Sequence, residues 1–456
     1  MCAWTQFHRE PIIIIGAAGR DFHNFNTVFR DDDTVRVVAF TAAQIPGIDG
    51  RIYPPQLAGG FYPNGISIVS EEELEDLIRK HGVQRCIFAY SDVTHGHVMQ
   101  LAERVNAAGA SFQLLPPQQT WLHSSRPVIS ICAMRTGCGK SQTSRYIAAI
   151  LRHMGLAVVA IRHPMPYDDD LVSQAVQRFA RAEDLARYRC TIEEMEEYEP
   201  HIAAGGVIYS GVDYAAILAQ AEQEAHIIIW DGGNNDTPFI QPDLHIVVMD
   251  PLRAGDEQRY YPSGQQMRLD VPTVFVINKC DSARLEQILA IEQSIRRVNP
   301  EAKIVRADSP VTVDNSNLIR GKRVLVVEDG PTCTHGGMNT GAGTVAANHF
   351  GATKIVDPRP YLKGELATTF VRYPDIGCLL PAMGYSEQQV QDLAATINAM
   401  FEAGVIDAVV SGTPIDLGRV IEVNGPLVRV TYNLGERLPG TLEAILRGHF
   451  GALVSK

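Results

Sequence analysis

The sequence predicts an α/β protein in which parallel sheets and helices alternate along the chain. Short apolar runs recur as candidate buried strands, and the segments between them carry apolar residues at helical spacing. A chain of 456 residues is too long for one ordinary core, so two or three domains are expected. We place three domains at residues 1–125, 126–315 and 316–456, with a proline-bounded linker at 116–127.

The first domain is predicted to be Rossmann-like, because its candidate strands and helices alternate as a parallel sheet requires. Ser70 and Glu73 form a capping-box pattern that opens one of these helices. The turn from Gly16 to Gly19 offers only G-x-x-G, and no acid ends the second strand, which argues against NAD binding. Structure, dimerisation or substrate contacts are the roles expected here. The candidate strands are residues 12–15, 35–40, 86–90 and 112–115.

A glycine-rich motif opens the second domain and predicts a nucleoside triphosphate site. Residues 134–141 read Met-Arg-Thr-Gly-Cys-Gly-Lys-Ser, after an apolar run at 128–133 and before an amphipathic segment. A strand, a tight turn and a helix N-terminus can cradle phosphates, so a P-loop NTPase domain is predicted. Met134 occupies the position of the first Gly of the pattern. The candidate nucleotide-binding residues are Thr136, Gly137, Cys138, Gly139, Lys140, Ser141 and Gln142.

Two patterns downstream support the same site. Asp231 ends an apolar run at 227–231, as in a Walker B strand, and is a candidate metal ligand together with Ser141. Asn278, Lys279 and Asp281 follow the run 273–277 and resemble the N-K-x-D base-recognition motif. A carboxylate at this position favours guanine, which offers a donor pair. The base stays open, because such sequences also occur in nucleotide sites that accept ATP.

The last third of the chain adds further α/β units, in which apolar runs end in loops rich in Gly, Pro and polar residues. The runs are residues 324–327, 354–356 and 409–410. Ligands bind at the carboxyl ends of strands in open parallel sheets, so these loops are expected to complete a substrate site. The charged segment 168–201 is interpreted as a solvated helix or a lid.

Composition excludes several classes of protein. The net charge of −12 argues against a general nucleic-acid binder. The sequence contains no apolar run of the roughly 18 residues that a membrane span needs. Its 8 cysteines show no C-x-x-C pair and are expected to be reduced thiols, so a cytoplasmic location without a membrane partner is predicted.

With these loops identified, the chain resembles the cyclic 2,3-diphosphoglycerate synthetase family. The P-loop core is similar to that of the wider group containing dethiobiotin synthetase. The resemblance covers nearly the whole chain, although Asp168 stands where a Gly is expected. It implies ATP-driven closure of an intramolecular phosphoanhydride in 2,3-bisphosphoglycerate, with release of ADP and phosphate, by a homodimer. The segments that carry the resemblance are residues 16–25, 134–143, 162–167, 328–336 and 412–417.

Such a reaction requires activation of one substrate phosphate by the γ-phosphoryl group, followed by attack of the other phosphate. Positioning and charge neutralisation dominate this chemistry, so Arg and His side chains are expected beside Mg²⁺ and ATP or GTP. Arg162 and His163 follow the strand 157–161 at the edge where the P-loop lies. The candidate catalytic residues are Lys140, Arg135, Arg162, His163 and Asp231, and the candidate substrate-binding residues are Arg162, His163, Thr334, His335 and Arg359.

Two alternative functions remain open at this point. A GTPase that acts as a regulatory switch or metallochaperone is supported by the complete base motif at 278–281. A P-loop kinase or synthetase acting on another small acid is the other alternative. Stimulation of nucleotide hydrolysis by a small phosphorylated acid would favour an enzyme, whereas stimulation by a protein alone would favour a switch.

Overall fold

The computed structural model describes residues 9–17, 19–43, 48–163, 170–334, 336–383 and 386–454. Within these ranges the strands form three large sheets, one in each third of the chain, and most pairings at their centres are parallel. This arrangement confirms the predicted α/β class. None of the described helices combines the length and the apolar composition of a bilayer-spanning segment.

The N-terminal sheet has the strand order β3-β4-β2-β1-β5-β7. Ile12 and Ile14 pack in one cluster with Phe22, whereas Ile13 and Ile15 pack in another cluster against α3 and α4. Both faces of β1 are therefore covered, which explains its continuous apolar run. The strands of this part of the chain are β1 (Glu10–Ile15), β2 (Val35–Ala42), β3 (Ile52–Tyr53), β4 (Ile66–Ser70), β5 (Arg85–Phe88), β6 (Val93–Thr94), which lies outside this sheet, and β7 (Ser111–Leu114). Its helices are α1 (Arg20–Asn24), α2 (Pro55–Ala58), α3 (Leu74–His81) and α4 (His95–Ala107).

The central sheet has the strand order β10-β11-β9-β12-β8-β13-β15-β16-β23. Strand β8 lies between β12 and β13 and is parallel to both. Ile129 and Ile131 pack under α5 on one face, while Val128 and Cys132 pack with Trp230 on the other. The strands of this part of the chain are β8 (Val128–Ala133), β9 (Val158–Arg162), β10 (Gln177–Phe179), β11 (Val207–Ser210), β12 (Ile227–Asn234), β13 (Leu244–Met249), β14 (Tyr260–Tyr261), which lies outside this sheet, β15 (Thr273–Ile277) and β16 (Lys303–Asp308). The last strand of the sheet, β23 (Gly435–Glu436), comes from the end of the chain. The helices of the central part are α5 (Lys140–His153), α6 (Ala182–Arg187), α7 (Ile192–Ala203), α8 (Tyr214–Glu224), α9 (Asp256–Arg259), α10 (Ser263–Gln266) and α11 (Leu285–Val298).

The C-terminal sheet has the strand order β17-β22-β21-β18-β19, and β20 also pairs with β18. Strand β18 is parallel to β19, β20 and β21, and it ends in Glu328 and Asp329. Its strands are β17 (Val311–Val313), β18 (Arg323–Asp329), β19 (Lys354–Ile355), β20 (Leu380–Ala382), β21 (Ala408–Ser411) and β22 (Leu427–Tyr432). The helices of this part are α12 (Gly330–Cys333), α13 (Ala342–His349), α14 (Glu365–Arg372), α15 (Glu387–Glu402), α16 (Leu417–Val420) and α17 (Thr441–Phe450).

The last two elements differ from the predicted division at residues 316–456. Strand β23 pairs with β16 of the central sheet, and α17 packs against α5. Leu442, Leu446 and Phe450 belong to the same buried cluster as Ile129. The end of the chain thus completes the central domain, because its apolar face fits beside α5. The sequence pattern alone identifies that face but not its partner.

The N-terminal and central sheets are joined by direct contacts. Strands β6 and β14 form an antiparallel ribbon, and Arg20 Nε lies 2.7 Å from Asp236 Oδ1 in a buried ion pair. In the segment predicted as a linker, the carbonyl of Thr120 lies 2.6 Å from His23 Nε2. The His23 ring stacks on Phe239 at 4.1 Å. Burial, reinforced by the Arg20 charge, lowers the pKa of His23 to about 3, so its imidazole is neutral at pH 7.

The packing of α17 predicts how two leucine substitutions differ. Leu446 is 0% exposed, whereas Leu438 is 73% exposed. Leu446→Ala should destabilise the protein by about 2–5 kcal/mol because it leaves a cavity in the central core. Leu438→Ala is the matched control and should change stability by no more than about 0.5 kcal/mol. Urea unfolding followed by circular dichroism measures both, and equal midpoints would contradict the docking of α17.

Candidate active site

The glycine-rich motif forms a tight turn between β8 and α5. Gly137 and Gly139 have left-handed backbones, with φ of 85° and 101°, and α5 begins at Lys140. A Cβ atom on Gly139 would lie 2.0 Å from Asn278 Nδ2, so only glycine fits there. Met134 is buried in a cluster under β13 and β15, and its backbone is not left-handed. A Met is therefore tolerated at the position where the pattern has its first Gly.

Asp231 lies at the centre of a buried charge cluster beside this turn. Its Oδ1 accepts hydrogen bonds from Lys140 Nζ at 2.6 Å and from Arg162 at 3.2 Å, and its Oδ2 lies 3.1 Å from His201 Nε2. Burial alone would raise the pKa of Asp231, but the charge of Arg162 and the bond to His201 lower it below its usual value. The carboxylate therefore stays ionised and holds the Lys140 ammonium beside the P-loop.

Glu197 extends the cluster towards the predicted metal ligand. Its Oε2 accepts a hydrogen bond from Ser141 Oγ at 2.9 Å, and its Oε1 pairs with Arg162. Ser141, Asp231 and Glu197 offer the hard oxygen donors that Mg²⁺ prefers, so these residues fit the ion. Among the described residues, no three His, Cys, Asp or Glu side chains form a group that could hold a metal alone. In nucleotide sites, phosphate oxygens and waters supply most of the remaining Mg²⁺ ligands.

The base-motif residues lie against the back of the P-loop. Asn278 Nδ2 donates to the Cys138 carbonyl at 3.0 Å, and Lys279 Nζ donates to the Gly137 carbonyl at 2.7 Å. Asp281 is exposed, and its Oδ1 accepts from the backbone N–H of Ser309 at 3.1 Å. The fold therefore brings this motif and the P-loop together, with the Asp281 carboxylate at the surface.

A cleft of about 1270 Å³, including its open mouth, lies between the P-loop and the C-terminal sheet. Among the described residues that line it, the carboxylates are Glu196, Glu197, Glu328 and Asp329, and the cationic side chains are Lys140 and Lys279. Lys140 is itself paired with Asp231, and Lys279 with Asp250 at 2.9 Å. The side of the cleft away from the P-loop is therefore acidic.

The acidic side is built from buried carboxylates rather than solvated ones. Glu328 is 2% exposed and accepts hydrogen bonds from the start of α13, while Glu196 is 4% exposed and accepts from Thr413 Oγ1 at 2.6 Å. Burial raises the pKa of Glu328 to about 7, with a further contribution from the neighbouring charge of Asp329. Glu328 can therefore exchange a proton near neutral pH.

Some predicted site residues lie outside the cleft. Arg135 forms ion pairs with Asp92 at 2.7 Å and Asp256 at 3.1 Å, and its guanidinium lies over the ring of Tyr260. It joins the P-loop to the N-terminal domain and does not line the cleft. His163 points away from Arg162, towards Phe239 and the N-terminal domain, because successive side chains of an extended segment alternate in direction.

The C-terminal residues predicted to bind substrate are also dispersed. Arg359 pairs with Asp357 at 2.9 Å, donates to the Ile376 carbonyl and is half exposed beside the edge strand β19, away from the cleft. Thr334 is buried, and its hydroxyl donates to the Gly330 carbonyl at 2.9 Å. Residue 335, also predicted to bind substrate, lies outside the described residues.

The structure adds cleft residues that the sequence did not select. Glu196 and Glu197 belong to the charged segment interpreted as a solvated helix or a lid. The solvated helix is wrong for α7, which packs Tyr198 into the central core and lines the cleft. Glu328 directly follows the apolar run of β18, as Asp231 follows that of β12. An acid at the end of an apolar run is thus the signal that could have identified Glu328. No comparable local pattern marks Glu196.

The position of Lys140 predicts the effect of its removal. Lys140→Ala should weaken binding of a non-hydrolysable ATP analogue by roughly 10- to 100-fold, because a charge-assisted hydrogen bond contributes about 1.5–3 kcal/mol. Turnover should be lost and the fold kept, since Asp231 retains Arg162 and His201. Calorimetry measures the affinity, with the exposed Lys354→Ala variant as control. Unchanged affinity in Lys140→Ala would contradict the P-loop assignment.

Comparison with known proteins identifies the family. A protein named arginine synthetase ArcE, from Thermococcus kodakarensis, is 56% identical over 428 residues, which are 94% of this chain and 94% of that protein. No family model matches the chain. LpxK from Aquifex aeolicus, solved with ATP, aligns at 11% identity over 78% of this chain and 96% of its own, with a TM-score of 0.42. A ParA family ATPase from Chlorobium tepidum aligns at 15% identity over 42% of this chain and 86% of its own, with a TM-score of 0.25. The chain belongs to the family of arginine synthetase ArcE.

Proposed function

We propose that this protein is an ATP-dependent synthetase that forms the guanidinium group of arginine. The observation that carries the proposal is the acidic side of the cleft, where Glu196, Glu328 and Asp329 line the same cleft as the P-loop. Carboxylates favour a cationic reactant or product, such as ammonium or the arginine cation, and disfavour a strongly anionic substrate. The identity of 56% with arginine synthetase ArcE supports the same substrate class.

An enzyme that transfers the γ-phosphoryl group of ATP can activate a ureido oxygen and so help to form the C–N bond of a guanidinium group. The ureido oxygen of citrulline attacks the γ-phosphorus of ATP, and the bridging P–O bond to ADP breaks. Ammonia then attacks the activated ureido carbon, and the C–O bond breaks with its electron pair on the departing phosphate. Citrulline, neutral ammonia and ATP thus give the arginine cation, ADP and phosphate, with atoms and charges balanced.

The residues around the P-loop have distinct tasks in this scheme. Lys140 and the backbone N–H groups of the turn bind the nucleotide phosphates and neutralise charge on the transferred group. Ser141 and Asp231, with Glu197, would hold Mg²⁺, which when bound neutralises charge on the phosphate oxygens. Arg162 orients Glu197 and Asp231 through its two ion pairs. These groups position the reactants, which is the main contribution of protein to phosphoryl transfer.

Cyclic phosphoanhydride formation in 2,3-bisphosphoglycerate is the second candidate, and the sequence resemblance supports it. The charges in the cleft favour it less. Of its predicted anion-binding residues, Arg162 is paired with Glu197 and Asp231, and Arg135 with Asp92 and Asp256. A highly anionic substrate would have to displace these carboxylates at a large electrostatic cost.

Incubation with Mg²⁺, ATP, citrulline and ammonium tests the proposal. We expect arginine, ADP and phosphate in equal amounts, measured by amino-acid analysis and phosphorus NMR. Parallel tubes contain 2,3-bisphosphoglycerate in place of citrulline, and Lys140→Ala serves as the inactive control. New anhydride resonances without arginine would favour the second candidate. Nucleotide hydrolysis with neither small molecule changed would contradict both candidates and favour a regulatory GTPase.

Substitution of Asp281 tests the choice of nucleotide. If ATP is the co-substrate, Asp281→Asn should leave the Km for ATP within about threefold, because adenine offers no donor pair to that carboxylate. If guanine is the ligand, the same change should weaken GTP far more than ATP. Initial rates with each nucleotide measure the difference, and Asp375→Asn, an exposed acid of the C-terminal lobe, is the control.

A further inference from the structure

Glu328 is a buried acid in the cleft that takes no part in the phosphoryl transfer described above. It ends β18 and faces the cleft that also contains Lys140 and Ser141. Within the described part of the chain, no Lys, Arg or His side chain forms an ion pair with it. Buried carboxylates normally have a cationic partner, so the missing charge is expected to come from a ligand.

The contacts of Glu328 leave one of its oxygens available. Oε1 accepts two hydrogen bonds from Thr344, from the backbone N–H at 2.7 Å and from the hydroxyl at 3.0 Å. Oε2 accepts only a longer bond, from the Gly343 N–H at 3.2 Å. The carboxylate is therefore oriented by α13 through Oε1, while Oε2 keeps spare capacity to accept a donor.

Two glycines keep the surroundings of Oε2 free of side chains. A Cβ atom would lie 2.5 Å from Oε2 if built on Gly341, and 2.3 Å from it if built on Gly412. Any other residue at either position would collide with this oxygen. Because the backbones of both glycines approach Oε2 closely, only a donor of very few atoms fits beside this oxygen.

The groups around Glu328 are mostly acidic. Asp329 is its neighbour on β18. Burial is the main cause that raises the pKa of the Cys333 thiol on α12, and the nearby charges of Glu328, Asp329 and Glu196 raise it further. Burial, with Asp329, also raises the pKa of Glu328 itself to about 7. A base of this strength can remove a proton from a bound cation and return it within one catalytic cycle.

We propose that Glu328 binds the ammonium ion at Oε2 and takes one of its protons, so that neutral ammonia can attack the activated ureido carbon. This inference rests on the arginine-forming reaction proposed above. Ammonium has no lone pair and cannot attack carbon. Transfer of one proton to the Glu328 carboxylate leaves ammonia and a neutral carboxylic acid. After the C–N bond forms and the C–O bond breaks, the proton leaves with phosphate or to water, and the carboxylate is restored.

A change of nucleophile separates this role from a structural one. Hydroxylamine is largely unprotonated at neutral pH and needs no base before it attacks. Glu328→Gln keeps the shape of the side chain but removes its basicity. We expect this variant to lose about 10²- to 10⁴-fold in kcat/Km for ammonium. It should use hydroxylamine to form the hydroxyguanidine product at close to the wild-type rate.

Both products are quantified by mass spectrometry, with Glu387→Gln, an exposed acid in the same lobe, as the matched control. Binding of ADP to Glu328→Gln by calorimetry should match the wild type. An equal loss with ammonium and hydroxylamine, or no loss with either, would overturn the role of Glu328. If the wild-type protein makes no arginine from citrulline, the proposed function fails first, and the inference fails with it.

Discussion

The ionised carboxylate of Asp231 is the constraint on which the rest of the site depends. An isolated buried charge is costly, so the surrounding structure must supply opposite charges at short range. Lys140 comes from the P-loop helix, Arg162 from β9 and His201 from α7. Three separate elements are thereby drawn to one point. Glu197 joins the cluster because it forms the second ion pair of Arg162.

This cluster also sets the charges that a nucleotide meets at the P-loop. Lys140 donates to Asp231 through one of the three N–H groups of its ammonium, so it can donate to phosphate oxygens as well. Arg162 and His201 also contact Asp231 and share in neutralising its charge. The Ser141 hydroxyl donates to Glu197 and keeps its oxygen lone pairs for a metal ion. The site is therefore neutralised in advance, which keeps buried charges from being left without partners.

The parts of the site that could be predicted from the sequence are those in which the functional residues come directly after a strand. The P-loop, Asp231 and Asn278 are local patterns, and a parallel sheet brings the ends of their strands together at one edge. Glu196 and Glu197 could not be predicted, because charges in a helix indicate solvent unless the packing of its other face is known. The position of Arg359 could not be predicted either, because the sequence does not show that β19 lies at a sheet edge away from the cleft. A homodimer stays a prediction.

The docking of α17 beside α5 has a consequence for the order in which the protein can be built. The central core contains Leu442 and Leu446, which are synthesised after the whole C-terminal sheet. A ribosome therefore releases the P-loop, its strands and its helices long before the last piece of their core exists. Until then an apolar strip beside α5 is exposed to water, and the C-terminal sheet is attached to the central domain at one end only. The P-loop residues are synthesised early, but the hydrophobic core beneath them is completed only after α17 has been made.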